Sequence, residues 1–333
     1  MKYRINNRRG AGMGYVTQPL ALTTGELKWL LQSPMLLDPS AHPCLLSSQL
    51  PWLSPDRRKQ VCHDLSHPSH EQTTAFLETL TARRSTRLGI RYETLWLSLY
   101  QSITEYEVLA TNLQVQEKGR TLGEFDLLYR AGDRYIHQEL AIKFYLGKPE
   151  SKGDWYDWVG PDQADQLGRK MALMFEHQIN LSKTEPGEQT LSHISPANTD
   201  WQQEVLLQGY LFYPWQQPCA EPEQVNPNHL RGDWLPFEQL SDYLATLSAK
   251  AFMIPSRQQW LNLTALAEQG ETDDVSALSE DELIAHLKQH FSGENKQRKR
   301  PQLVMPQIPE GRPFFVTPDD WLDRLNQKLT NPA

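Results

Sequence analysis

The chain has 333 residues, 39% hydrophobic and 22% charged, with a formal net charge of −8. That length buries a sizeable core, and no apolar run approaches the roughly 20 residues needed to cross a bilayer, so no membrane partner is expected. The acidic balance argues against a broad basic surface gripping nucleic acid non-specifically, although it leaves room for a local basic groove. Cys44, Cys62 and Cys219 lie far apart and are odd in number, and the polar start MKYRINNRRG lacks a signal-peptide core. Neither a disulfide framework nor a zinc site is implied, and the expected location is the cytoplasm.

Taken in order, residues 1–22 are rich in Gly, Asn and Arg without periodicity and are expected to form a flexible N-terminus. Residues 23–84 read as a helical cover. GELKWLLQSPMLL gives a short amphipathic helix ended by Pro34, and a second helix is expected near Glu71 to Arg84, with Phe76, Leu77 and Leu80 on its apolar side.

An α/β core is expected over residues 85–215. Leu88 to Tyr100 is a strongly apolar helix and Glu105 to Gln116 a strand, followed by a hairpin of Leu122 to Arg130 and Arg134 to Leu146. A helix from Pro161 to about Ile179 has apolar positions Ala164, Leu167, Met171, Met174 and Phe175, with Pro at its first position. Glu204 to Tyr213 is a further strand. Residues 216–333 read as a helical and irregular extension packing on the core. Its helices are expected near Phe237 to Ala249, at Ser279 to Phe291 behind a Ser279–Glu282 capping box, and from Thr317. The basic run Lys296 to Arg300 reads as a solvated connector.

The hairpin carries the chemistry. A two-residue turn at Gly132–Asp133, with Gly first as type II′ prefers, pairs Ala131 with Arg134. Counting back sets Asp126 opposite Glu139, with Cβ atoms about 5 Å apart. Glu124 and Ala141 form the next pair, His137 faces Leu128, and Lys143 continues the face of Glu139. The other face carries Phe125, Leu127, Tyr129, Ile136, Leu140, Ile142 and Phe144, interrupted by Gln138. A solvated polar face accounts for such a group without any function. Against that, opposed like charges are unfavourable without a cation. Glu93 also sits within an almost wholly apolar helix, where it needs the same ion or a cation such as Arg91.

The order αβββαβ, with an acid in the first helix, an Asp on the second strand and an acid and a lysine on the third, resembles the PD-(D/E)XK nuclease superfamily. RLGIRYETLWLSL, LGEFDLL, IHQELAIKFYLG, GPDQADQLGRKMALMFEHQ and LLQGYLFYP, with ELKWLLQSPMLL before them, are also similar to a bacterial family catalogued as a domain of unknown function. The superfamily resemblance implies a restriction-endonuclease-like α/β core with a mixed central sheet and helical additions at both ends. It further implies a Mg²⁺- or Mn²⁺-dependent hydrolase cutting DNA or RNA phosphodiesters. Asp126 and Glu139 would be the metal ligands, with Glu93 contributing directly or through water, and Lys143 the lysine that positions water or stabilises developing charge. The usual acid-x-Lys spacing is replaced by Glu139-Leu140-Ala141-Ile142-Lys143, so the lysine is displaced. His137 is a supporting residue or a core histidine. Gln163, Gln166 and Lys170 form a helical stripe that contacts substrate, with Lys170 on a phosphate, or is simply solvated. The loop holding Lys148, Lys152, Trp155, Tyr156 and Trp158 suits base stacking or ordinary packing. The alternative function is a catalytically inactive nuclease-fold module that binds nucleic acid or a protein partner. A third reading makes the acids a surface ion network.

Overall fold

The computed structural model describes residues 17–66, 69, 87–268, 277–292 and 300–330. The first 16 residues, the helix expected near 71–84 and residues 296–299 of the basic run lie outside the described residues. Helix α1 (Thr17–Gln32) stops before Pro34, as the ring requires, but starts ahead of the expected boundary at residue 22. Helices α2 (Pro55–Ser66) and α3 (Leu88–Ser102) follow.

Strands β1 (Tyr106–Glu117), β2 (Arg120–Ala131) and β3 (Arg134–Gly147) form an antiparallel meander. The hairpin register is the expected one, with Ala131 against Arg134 and Leu128 against His137. Gly132 holds φ at 61°, which a type II′ turn needs at its first central residue. The two-residue strand β4 (Trp158–Val159) pairs antiparallel with the end of β3. Helix α4 (Leu167–Ala172) then runs into a π-helical turn, Leu173–Gln178, and α5 (Glu185–Leu191) precedes β5 (Trp201–Pro214), which lies parallel to β3. The helix expected from Pro161 therefore starts six residues later, because Val159 and Gln166 bridge as extended chain and Gln163 takes a left-handed φ of 59°.

The C-terminal part departs from the helical and irregular reading. It supplies β6 (Leu230–Pro236), α6 (Leu240–Thr246), β7 (Phe252–Met253), α7 (Leu263–Glu268), α8 (Glu280–Phe291), β8 (Gln302–Pro306), β9 (Phe314–Thr317) and α9 (Trp321–Thr330). Its four strands extend one mixed sheet in the order β1-β2-β3-β5-β6-β9-β8-β7. LRGDWLP and QLVMP are short and end in proline, so they carry little strand signal of their own; pairing of β6 onto β5 and of β8 onto β9 decides their state. The Ser279–Glu282 capping box at α8 is present, whereas the last helix begins at Trp321 because Thr317 closes β9.

Each sheet face has its own cover. On one, α3 buries Tyr92, Leu95, Trp96, Leu99 and Tyr100 completely, against Leu127, Tyr129, Ile136, Leu140 and Leu206. On the other, Leu167, Met171 and Met174 pack over Ala141, Tyr145, Val205 and Leu207. Two buried polar side chains under α3, Gln208 and Glu204, collect hydrogen bonds from their neighbours. Gln208 accepts from Tyr92 Oη at 2.8 Å and donates to the carbonyls of Leu30 and Ser33 at 2.9 Å, closing the end of α1. Glu204 accepts from Trp52 Nε1, Tyr129 Oη and Gln138 Nε2 at 2.8, 2.8 and 2.9 Å, which explains the polar interruption at Gln138.

Gly209 is where β5 meets β3 most closely. Its φ is +147° and a Cβ would fall 1.7 Å from the Lys143 carbonyl oxygen. Gly209→Ala is expected to lower stability by about 3 kcal/mol through combined strain and overlap. Chemical denaturation of both proteins measures this; an unchanged midpoint contradicts it.

Candidate functional site

Strands β2 and β3 separate at the acids. Their ladder ends at Leu127–Gln138, one pair short of Asp126–Glu139, while β2 continues paired to β1 alone. The Leu140 N–H, released from the ladder, donates to Asp126 Oδ2 at 3.0 Å, so a side chain replaces a strand bond. The break also reverses the alternation. Phe125, expected beside Leu127, instead packs edge-on to His137 at 4.7 Å and clusters with Leu128 and Val115. Glu124 pairs with Gln114 rather than Ala141.

The two acids meet at this fork. Glu139 is fully buried, and the Asp126 backbone amide and carboxyl lie near enough to favour its ionised form. Burial, joined by the Glu139 charge, pushes the Asp126 pKa up to about 7. Burial likewise raises Glu139 to about 7, opposed first by Lys170. Glu93, half-buried on α3, is near enough for its charge to add to that rise. Arg91, the cation considered for Glu93, instead forks onto Glu26 of α1, with Nη2 2.7 Å from Oε2.

Both oxygens of Glu139 are held. His137 Nε2 lies 2.9 Å from Oε1 and Gln178 Nε2 donates to Oε2 at 2.7 Å. His137 is fully buried, and burial drops its pKa to about 4, so the ring is neutral near neutral pH. Once Glu139 is ionised it can only accept; the imidazole proton then sits on Nε2, and Nδ1 accepts from the Ser182 hydroxyl at 3.3 Å. His137 thus fixes the Glu139 carboxyl from a fully buried position.

The expected lysine is elsewhere occupied. Lys143 Nζ is 2.5 Å from Asp165 Oδ2, which also accepts from Tyr145 Oη at 3.2 Å. Lys170 takes the nearer place. Its Nζ donates to Gln178 Oε1 at 2.8 Å, and the same Gln178 bonds Glu139. Burial lowers the Lys170 pKa, with Lys143 adding repulsion, while Glu139, Asp126 and Asp165 oppose the drop. The rest of the expected stripe dissolves: Gln163 donates to the Trp321 carbonyl at 2.6 Å, and Gln166, buried before α4, donates to the Tyr156 carbonyl at 2.5 Å. In the neighbouring loop Trp158 is fully buried and Trp155 donates to the Glu223 carbonyl, leaving Tyr156 exposed.

Asp165, Gln178 and Ser182 escaped sequence reasoning. Gln178 stands eight residues after Lys170, a spacing that an α-helix places off the lysine's face. The π turn inserts one extra residue, seen as Ile179 N–H bonding the Met174 carbonyl at 3.0 Å, and so turns Gln178 to where the seventh residue would have pointed. No residue pattern announces that insertion.

The donor chemistry is that of hard cations. Among the described residues, no group of three or more His, Cys, Asp and Glu side chains is placed so that it could hold a metal ion. Mg²⁺ needs no such group; one or two carboxylates suffice, with water and phosphate completing its shell. Two adjoining carboxyls with raised pKa values fit that mode.

Without a divalent cation, the raised pKa values have a definite sign. The folded state holds protons on Asp126 and Glu139 that the unfolded chain releases near pH 4, so their contribution to stability is full below pH 4 and is lost as pH rises through about 7. Asp126→Asn is expected to remove part of that fall and to gain about 2 kcal/mol over wild type at pH 8 in EDTA. Denaturation curves at pH 4 and 8 test this; parallel losses in both proteins refute the coupling.

Among curated proteins and among solved structures, none matches the chain significantly. Among the described residues, no helix is long and apolar enough to cross a membrane. One family model, described as a domain of unknown function (DUF1853), matches residues 25–312, which include both covers of the sheet and the fork between β2 and β3. The chain belongs to the DUF1853 family.

Proposed function

We propose that this protein is a Mg²⁺- or Mn²⁺-dependent phosphodiesterase acting on nucleic acid, built on a PD-(D/E)XK-like core. One observation carries the reading: a fully buried carboxyl, Glu139, and a half-buried one, Asp126, from adjoining strands interact where the strands part, with a lysine linked to Glu139 through a single glutamine. Such a pair is unstable as two free charges and is relieved by a divalent cation. The sequence of α3, β1-β2-β3, the α4 crossover and parallel β5 supports the superfamily reading of the core.

In this reading Asp126 and Glu139 hold the ion and Glu93 adds negative charge beside it. A divalent cation here supplies Lewis-acid polarisation of a phosphate and a lowered pKa for bound water. His137 and Gln178 keep the Glu139 carboxyl in one orientation. Lys170, and not Lys143, offers its ammonium to a phosphate oxygen as charge develops. Hydrolysis forms a bond from water oxygen to phosphorus and breaks the phosphorus–oxygen bond to the sugar, the departing oxygen taking a proton. Lys143 and Asp165 brace the wall of the site.

The competing reading, a nuclease-fold module that binds without cutting, is favoured by one feature: both Glu139 oxygens already have protein donors. Thermal unfolding with and without Mn²⁺ separates the two. The catalytic reading expects stabilisation of about 2–3 kcal/mol near a hundredfold excess over the dissociation constant, absent in Asp126→Ala. With single- and double-stranded DNA and RNA, Mn²⁺-dependent cleavage is expected to fall about 1000-fold in the Asp126→Ala, Glu139→Ala double variant. A fall of about 100-fold is expected in Lys170→Ala and less than about tenfold in Lys143→Ala. Metal stabilisation without cleavage selects the binding module; neither response removes the metal site.

A further inference from the structure

Beyond the fork, β1 and β2 run on without β3 as a two-stranded ribbon. Its near part is packed: Val115 and Phe125 are completely buried with Leu181 and Leu191, and a Cβ on Gly123 would fall 3.0 Å from Leu181 Cδ2. The tip is not, since every residue from Gln116 to Leu122 is exposed. Lys118 and Gly119 close it with φ values of 49° and 79°, the positive pair that a type I′ hairpin turn requires. Just before the turn the register jumps. Val115 faces Gly123 but Gln116 faces Thr121, so Leu122 is a surplus, bulged residue, and it is 44% exposed. Bulges re-aim side chains, and here the one re-aimed is apolar and left in solvent. Neither Lys118 nor Arg120 forms an ion pair among the described residues, whereas Arg130, further along β2, is paired with Glu107. Glu117 is the only acid of residues 116–122, so the tip carries more cations than acids in a chain of net charge −8.

We propose that this ribbon docks the protein onto double-stranded DNA, its tip entering the major groove. Docking in this way rests on nucleic acid being the partner, as the proposed function has it, and narrows that partner to duplex DNA. The major groove of B-form DNA, about 12 Å wide, admits a two-stranded β-ribbon, whereas the deep, narrow major groove of A-form RNA does not. Lys118 and Arg120 meet phosphates at the groove walls. Gln116 and Thr121, a register pair, offer amide and hydroxyl groups to base edges, and Leu122 offers an apolar contact to a thymine methyl. Arg120 and Asp126 share one strand, which sets the tip up to about 20 Å from the acid pair. A second copy of the chain is the poorer occupant, because a lysine in the turn and a bulge beside it both oppose edge-to-edge strand pairing.

Fluorescence anisotropy on the full chain in EDTA, with a short labelled DNA duplex, the matching RNA duplex and a single DNA strand, measures binding apart from cleavage. Wild type is expected to hold the DNA duplex at least about tenfold more tightly than either alternative. Replacing both tip cations, Lys118→Ser with Arg120→Ser, is expected to weaken duplex binding by at least about tenfold and to lower the slope of log affinity against log salt by about 2. Leu122→Ser is expected to weaken binding while leaving that slope unchanged. These substitutions lie in the exposed tip, so the thermal midpoint and its response to Mn²⁺ stay those of wild type. Docking through the tip without any Mn²⁺ response supports the ribbon and sinks the metal site alone. Undiminished affinity in the tip variants, equal binding of the RNA duplex or the single strand, or no binding by wild type overturns the proposal. So does loss of a dimer in the tip variants by sedimentation, which assigns the ribbon to self-association.

Discussion

The parting of β2 from β3 after Leu127–Gln138 is the constraint on which the site depends. Were the ladder to continue, Asp126 and Glu139 would be ordinary cross-strand neighbours on a regular face. Because it stops, the Leu140 N–H is free for the Asp126 carboxylate, Phe125 rolls onto His137, and the two acids close on each other at a place partly shielded from water. The sheet tolerates the fork because β3 is held along its other side by twelve register pairs with β5.

Electrostatics then follow from burial more than from charge counting. The chain is acidic overall, yet the local field at the fork is a contest between two carboxyls, a third at Glu93, and the ammonium groups of Lys170 and Lys143. Asp165 draws Lys143 aside and leaves Lys170 as the cation that counts for Glu139. A lysine's place on a strand face is thus a poor guide to what it touches, since its flexible four-carbon stem lets a nearby acid recruit it.

Much of the central meander was legible because its signals are local. The Gly132–Asp133 turn fixes register, alternation fixes faces as far as the fork, and the unbroken apolar stretch of α3 fixes the cover. The Asp126–Glu139 encounter followed from the same counting even though the final ladder pair is missing. The rest depended on contacts distant in sequence. Strands β6, β8 and β9 exist because an edge was waiting for them, the start of α4 is delayed by a bridge between Val159 and Gln166, and Gln166 is spent on a backbone carbonyl. Neither Gln178 nor Asp165 belonged to any stripe or strand pattern pointing at the acids.

The π turn at Leu173–Gln178 has an evolutionary corollary. One surplus residue rotates everything downstream by about 100° without moving the start of the helix, because each helical position turns the chain by that amount. A lineage whose helix closed into regular α-helix with no residue lost would keep every polar side chain of this neighbourhood, yet would present His177 to Glu139 in place of an amide. Deleting the surplus codon as well would bring Gln178 back to Glu139, so helix winding and chain length set the contact together.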